Sequence, residues 1–204
     1  VPFPSGASLT FSTEKDADDN LVPVDANLCV ECHQGRESTV SMNRALSAFK
    51  DLDTPDAGVR FRNVHYFAAG ATLFGDAAKG IYQYDGKTYA GQFMHQGGKL
   101  NQCTDCHDAH TLEVKTEACA GCHSVDDPRT IRLTSLEDYD GDGDAAEGLY
   151  GELVTYQEKL YAAMQAYATT AGTGILYDSH AYPYFFVDMD GDGAADVNDS
   201  GAAI

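Results

Sequence analysis

The chain has 204 residues, 43% of them hydrophobic, with 20 Gly, no Trp and a formal charge of −19 from 32 acidic and 13 basic side chains. That charge excludes nucleic acid and anionic membrane surfaces as partners and suits cations, basic redox proteins and mineral surfaces; no apolar run approaches the ~18 residues of a membrane span. The apolar content is thin for an ordinary core of this length, in what reads as one domain overall.

Residues 1–28 are rich in Pro, Gly, Ser and Asp and show no helical period, so they are expected as an extended arm. The alternation in SLTFST predicts a short strand. Such an arm packs on the chain's own cofactors or reaches a neighbouring subunit. At Cys29–His33 the chain reads CVECH. In C-x-x-C-H each thiol forms a thioether to one porphyrin, and the following imidazole reaches the iron. Cys29 and Cys32 are thus haem attachment points and His33 a proximal ligand. Met42, Leu46 and Phe49 stand at i, i+4 and i+7 and predict a helix in the next segment. Arg36 either pairs with a propionate or is solvated.

After a loop over 51–64, His65 lies among aromatic and small apolar residues, where an exposed imidazole is out of place. A buried, hydrogen-bonded His is the ordinary reading; a distal iron ligand is the functional one. Residues 80–93 alternate around Asp85-Gly86 and predict a hairpin that delivers His95, a second distal candidate.

Two further motifs follow closely. CTDCH at Cys103–His107 and CAGCH at Cys119–His123 are separated by residues 108–118 alone. Cys103, Cys106, Cys119 and Cys122 are attachment points, with His107 and His123 as proximal ligands. His110 follows His107 by three residues. On one helical turn the two imidazoles point to similar sides, so His110 is assigned to a different iron. The short spacing makes the second and third haems close neighbours.

All six Cys fall in these motifs. With 7 His in 204 residues, chance puts one after all three pairs about 4 times in 100,000. Zinc needs no His directly after each pair and would leave Cys29 and Cys32 without partners. Disulfides are the other alternative for an even Cys count in an exported protein.

Beyond the motifs, Asp138, Asp140, Asp142 and Gly143 match positions 1, 3, 5 and 6 of a calcium loop. Position 12 falls on Leu149, so Glu147 or Glu152 would have to complete the cage; a flexible acidic turn is the alternative. Leu149, Leu153, Tyr156, Leu160, Met164 and Tyr167 predict the longest helix over 147–171, as a lid over the haems, with AGTG ending it. His180 follows among aromatics. Asp188, Asp190, Asp192, Gly193, Asp196 and Asp199 then occupy positions 1, 3, 5, 6, 9 and 12 of a fuller calcium loop, resembling EF-hand and dockerin loops. Three irons need six axial ligands. With three proximal His, the set His65, His95 and His110 completes them and leaves His180 in reserve. Met ligation would raise the potential and is set aside because His suffices.

The three motifs, and CxxCHxxH at Cys103–His110 in particular, resemble multihaem c-type cytochromes of respiring bacteria and archaea. The resemblance covers residues 27–125. It implies bis-His low-spin haems stacked in parallel and T-shaped pairs. Some members polymerise into extracellular nanowires in which a distal His comes from the next subunit.

The expected architecture is a mostly irregular, haem-packed chain with a few α helices, little β structure and the haem stack as core. The arm covers 1–28, the trihaem region 29–125, and a calcium-loop and helical region 126–204. Expected cofactors are three haem c and one or two Ca²⁺. Haem attachment occurs outside the cytoplasm, so an exported chain whose leader has been removed is expected, at the cell surface, outside the cell or in the periplasm. The leading functional expectation is electron transfer, as a filament subunit that self-associates into a homopolymer or as a carrier, to redox proteins or extracellular acceptors. A multihaem reductase would need an open iron, which plentiful distal His disfavour. A calcium-dependent adhesion module is the third class.

Overall fold

Helix α1 (Asp25–His33) carries the first motif. Ala26 and Val30, one turn apart, are fully buried on it, while Cys29, Cys32 and His33 share a neighbouring stripe at i, i+3 and i+4. The computed structural model describes residues 1–11, 15–20, 22, 24–54, 56, 58–65, 67–95, 100–124, 126–132, 137–182, 184–188 and 190–194. They form two compact units, Val1–Lys115 and Thr116–Ile204. The boundary falls inside the 29–125 region and leaves the third motif in the second unit. Structure is mostly irregular, with few helices and one small sheet. Among the described residues no helix is long and apolar enough to cross a membrane.

In the first unit, α1 packs on α3 (Ala69–Phe74) and α4 (Cys103–Cys106). The crossing with α3 is close because Gly70 lacks a side chain. A Cβ there would lie 3.1 Å from both the His33 carbonyl and Val30. The core is Phe3, Val30, Ala71, Phe74 and Ala78. Phe74 meets Phe3 and Phe11 edge-on, at 5.7 and 5.2 Å between centroids.

Residues 1–11 are therefore not an outstretched arm. They fold back on themselves (Phe3 N–H to Ala7 O, 2.8 Å; Leu9 N–H to Val1 O, 3.0 Å) and onto α1, where the Asn27 side-chain oxygen accepts from the Phe11 N–H at 2.9 Å. Of the strand expected in SLTFST, the described residues 8–11 show one bridge, Ser8 with Pro2; Ser12 and Thr13 lie outside the described residues. The burial of two Phe rings outweighs the alternation.

Helix α2 (Thr39–Leu46) forms where the sequence predicts a helix, and a capping box starts it. The buried Ser38 hydroxyl accepts from the Ser41 N–H, and the Ser41 hydroxyl accepts from the Ser38 N–H, satisfying two otherwise orphaned donors. The expected hairpin over 80–93 does not form. Its Asp85-Gly86 turn is present, with the Lys87 N–H bonded to Tyr84 O, but each flank finds a different partner. Ile81 and Gln83 bond the Thr39 hydroxyl, while Ala90 and Phe93 bond the end of α3 through the Asp76 N–H and Leu73 O.

In the second unit, α5 (Glu117–Ala120) carries the third motif and α6 (Leu149–Thr170) is the longest helix. An antiparallel pair, β1 (Ile175–Tyr177) and β2 (Phe185–Val187), follows it with Leu176 opposite Phe186. Period-2 reasoning missed this pair because each strand is only three residues long.

Candidate haem and cation sites

The three motifs share one local geometry. In each, the N–H of the His reaches back to the carbonyl of the first Cys, inside α1 for His33 and at 2.8 Å for His107 and 2.9 Å for His123. That single α-turn brings both sulfurs and the imidazole to one side of the backbone, as attachment to one porphyrin demands. No disulfide joins any of the six cysteines. Among the described residues, the only groups of three side chains able to hold a bare metal ion are carboxylates, so zinc at the Cys pairs has no cage.

The first motif passes a sharper test of fit. The His33 Nδ1 lies 2.7 Å from the Phe67 carbonyl oxygen. A carbonyl only accepts, so Nδ1 carries the proton and Nε2 presents its lone pair outward. This backbone partner fixes the tautomer and raises the basicity of a metal-ligating His. Sequence reasoning missed it, because a carbonyl 34 residues away leaves no signal. Phe67, Ala68, Ala69, Thr72, Leu73 and Phe93 line an open apolar depression of ≈ 480 Å³ nearby. Phe67 is 88% exposed and Leu28, beside Cys29, is 76% exposed. Flat apolar surface of this kind suits a porphyrin face.

The first and second motifs also meet. Burial, then the charge and side-chain hydrogen bond of Cys29, push the Cys103 thiol above its ordinary pKa. The first two motifs are therefore neighbours in the first unit.

The distal candidates stand as follows. His65 is half-buried in a left-handed conformation (φ 57), with its N–H on the Asn63 side chain at 2.7 Å. Nearby, the Phe67 carbonyl bonds His33 of the first motif, and the Val64 carbonyl accepts the N–H of Arg36, three residues past that motif. His95 is exposed and its N–H binds the Asn101 side chain at 2.8 Å, just ahead of the second motif. The helical-turn argument for His110 is corrected. Helix α4 ends at Cys106, His107 is extended (φ −108, ψ 136), and His110 lies in a separate turn. Asp108 organises that turn by accepting the His110 and Thr111 N–H groups, both at 2.8 Å, and these bonds lower its pKa. His107 pairs with Val114 to close the turn back on the motif. His180 sits between β1 and β2 with its side chain 93% exposed, 3.3 Å from an Asp178 carboxylate oxygen.

Both Asp-rich loops gather carboxylates. Asp138, Asp140 and Glu152 converge, as do Asp140, Asp142 and Glu147, and Asp188, Asp190 and Asp192. Asp196 and Asp199 lie outside the described residues. Backbone N–H groups of Gly141 and Gly143 lower the Asp138 pKa. Burial first, then the charges of Asp142, Asp140, Glu152 and Asp144, raise that of Glu147.

Comparison with known proteins agrees with this chemistry. The chain is 28% identical over 200 residues to the C-type polyheme cytochrome OmcB of Geobacter sulfurreducens, across 84% of this chain and 23% of that one. It is 30% identical over 203 residues to OmcC of the same organism, across 86% of this chain and 22% of that one. It thus spans less than a quarter of the length of these curated relatives. No protein-family model and no solved structure matches it. The motifs and these similarities together place the chain among the multihaem c-type cytochromes.

Proposed function

We propose that this chain transfers electrons through three closely spaced, covalently attached haem c groups, and that it does so as the repeating subunit of an extracellular filament. The observation that carries the electron-transfer reading is the packing of α1 on α4, which brings the first motif's helix against the second's. Neighbouring attachment points serve a relay; an isolated catalytic haem has no need of them. Bound haem iron supplies one-electron exchange between ferrous and ferric states. The polypeptide's part is to hold ligands and set spacing. His33, His107 and His123 would each hold the iron of the haem attached at their own motif, with His33 oriented by Phe67. His65, His95 and His110 would supply the remaining iron ligands. The eleven residues 108–118 tether the second and third attachment points. Calcium at the two Asp-rich loops completes the cofactor set.

The filament reading draws on His180, the surplus imidazole. Its ring is exposed and steered by Asp178, as a ligand offered to a neighbouring copy would be. Export to the cell surface or beyond accompanies thioether attachment, and the charge of −19 suits basic redox proteins or extracellular acceptors. A soluble carrier is the second reading, and a specific observation favours it: residues 1–11 fold onto their own unit, so they do not serve as a reaching arm.

Intact mass tests the count, with the polypeptide plus three haems expected and any other number overturning it. Electron paramagnetic resonance of the oxidised protein should show low-spin ferric iron alone; a high-spin signal would revive a reductase. Negative-stain microscopy should show fibres, and a monomer at every concentration would leave the carrier.

A further inference from the structure

The loop entering α6 is locked from outside by a buried ion pair. Arg132 and Glu152, with side chains 9% and 3% exposed, meet at 2.7 Å through Nη2 and Oε1. The other Glu152 oxygen accepts the N–H groups of Tyr139 and Asp140, both at 3.0 Å. Arg132 also donates to the carbonyls of Glu137 and Glu147. Oε2 is thereby engaged in holding the loop and Oε1 in the ion pair, without a hydrogen bond of its own, although Glu152 lies within reach of Asp138 and Asp140.

Asp140 and Glu147 differ. Asp140 is 8% exposed; its Oδ1 accepts the Asp142 N–H at 2.9 Å, while its enclosed Oδ2 has no hydrogen-bond partner. The Glu147 Oε1 is likewise enclosed and unpartnered. An ionised carboxylate only accepts, and leaving one buried and unmet costs about 1–3 kcal/mol or more. Lys159 donates to the Asp140 backbone carbonyl, while the side chains that converge on the Asp140 carboxylate are themselves carboxylates, which donate nothing. Gly151 makes room for this arrangement, since a Cβ there would collide with the Glu147 carboxylate. A hard divalent cation answers all these oxygens at once, and converging carboxylates with a D-x-D-x-D-G spacing select calcium.

We propose that Asp138, Asp140, Asp142 and Glu147 form a calcium site in which Glu147, ten residues into the loop, takes the place of the missing twelfth-position ligand, while Glu152 and Arg132 hold the loop and do not bind the ion. This rests on the calcium reading of the loop given above and adds its ligand set. The usual twelfth position falls on Leu149, which starts α6 and has no side-chain oxygen to offer.

The test is calorimetric titration of calcium into chelator-stripped holoprotein, in a background carrying Asp188→Asn and Asp190→Asn so that only the first loop reports. One site is expected. Glu147→Gln, which keeps size and hydrogen-bonding oxygen, should weaken it at least about tenfold, because affinity follows ligand charge. Glu152→Gln should change it by less than about threefold, with circular dichroism checking that both variants fold. Glu147→Gln binding as tightly as its background would overturn the ligand set and leave the calcium reading standing. A background protein that binds no calcium would overturn both, while haem content by absorbance stays independent of either result.

Discussion

Replacing Phe74 by Ala should release the N-terminal segment from the first unit. Phe74 is 3% exposed and is the ring on which Phe3 and Phe11 converge. Its other buried neighbours are small: Ala71, Ala78 and the single Val30. Truncating a buried Phe to Ala typically costs about 3–5 kcal/mol. The surroundings here relax poorly, since Val30 is pinned against Gly70, so the upper part of that range is expected. Hydrogen exchange of the holoprotein reads the effect locally. The N–H groups of Phe3, Leu9 and Phe11 are protected by Ala7 O, Val1 O and the Asn27 side chain. A loss of 3 kcal/mol should accelerate their exchange by about a hundredfold or more, whereas Phe74→Leu should give a much smaller change. Exchange unchanged in the Ala variant would refute the claim that these rings hold residues 1–11 down.

Other perturbations test other links. Ser38→Ala removes a buried cap hydroxyl from α2 and should cost about 1 kcal/mol in chemical denaturation. Gly70→Val should push α3 off α1 at the His33 carbonyl; with His33 as the proposed iron ligand, the expected sign is a rise in the potential of its haem, as the Nδ1 bond to Phe67 loosens and the imidazole becomes less basic, read by spectroelectrochemistry. Asp127 has its pKa lowered by the Arg129 side chain first and the Arg129 N–H next. Its contribution is present above the ordinary carboxylate range and is lost as pH falls through the depressed value, so the stability gap to Asp127→Ala should stay constant at neutral pH and close only in acid.

What was legible in the sequence was what is local in it. Each CxxCH motif is a single turn, and each turn formed. Helix α2 was marked by its apolar spacing, and α6 runs from Leu149 to Thr170, matching the periodic stripe. Contacts between distant segments were not legible. The Phe67 carbonyl under His33, the Arg132 clamp on Glu152 and the docking of residues 81–93 on two different helices depend on backbone groups, a threonine hydroxyl or a single charged residue, and none of these leaves a periodic trace. The hairpin failed for the same reason. Alternation recorded that residues 81–93 want partners, and the partners turned out to be Thr39 and the end of α3.

The same separation explains a stripe that predicted a helix correctly without predicting its burial. Leu153 and Leu160 lie on the apolar face of α6, yet they are 59% and 62% exposed within the protein surface. Hydrophobic spacing shows that a face needs cover, not that the polypeptide supplies it. In an ordinary domain the distinction is idle, because packed side chains provide the cover. Here, among the described residues, the largest fully buried side chain is a valine, while Phe67, Leu28, Leu112 and Tyr182 stand 74–88% exposed. A chain that attaches flat apolar cofactors through its own cysteines can leave large side chains outward along its length, and its meagre core is then a property of the cofactor chemistry and not a defect of the fold.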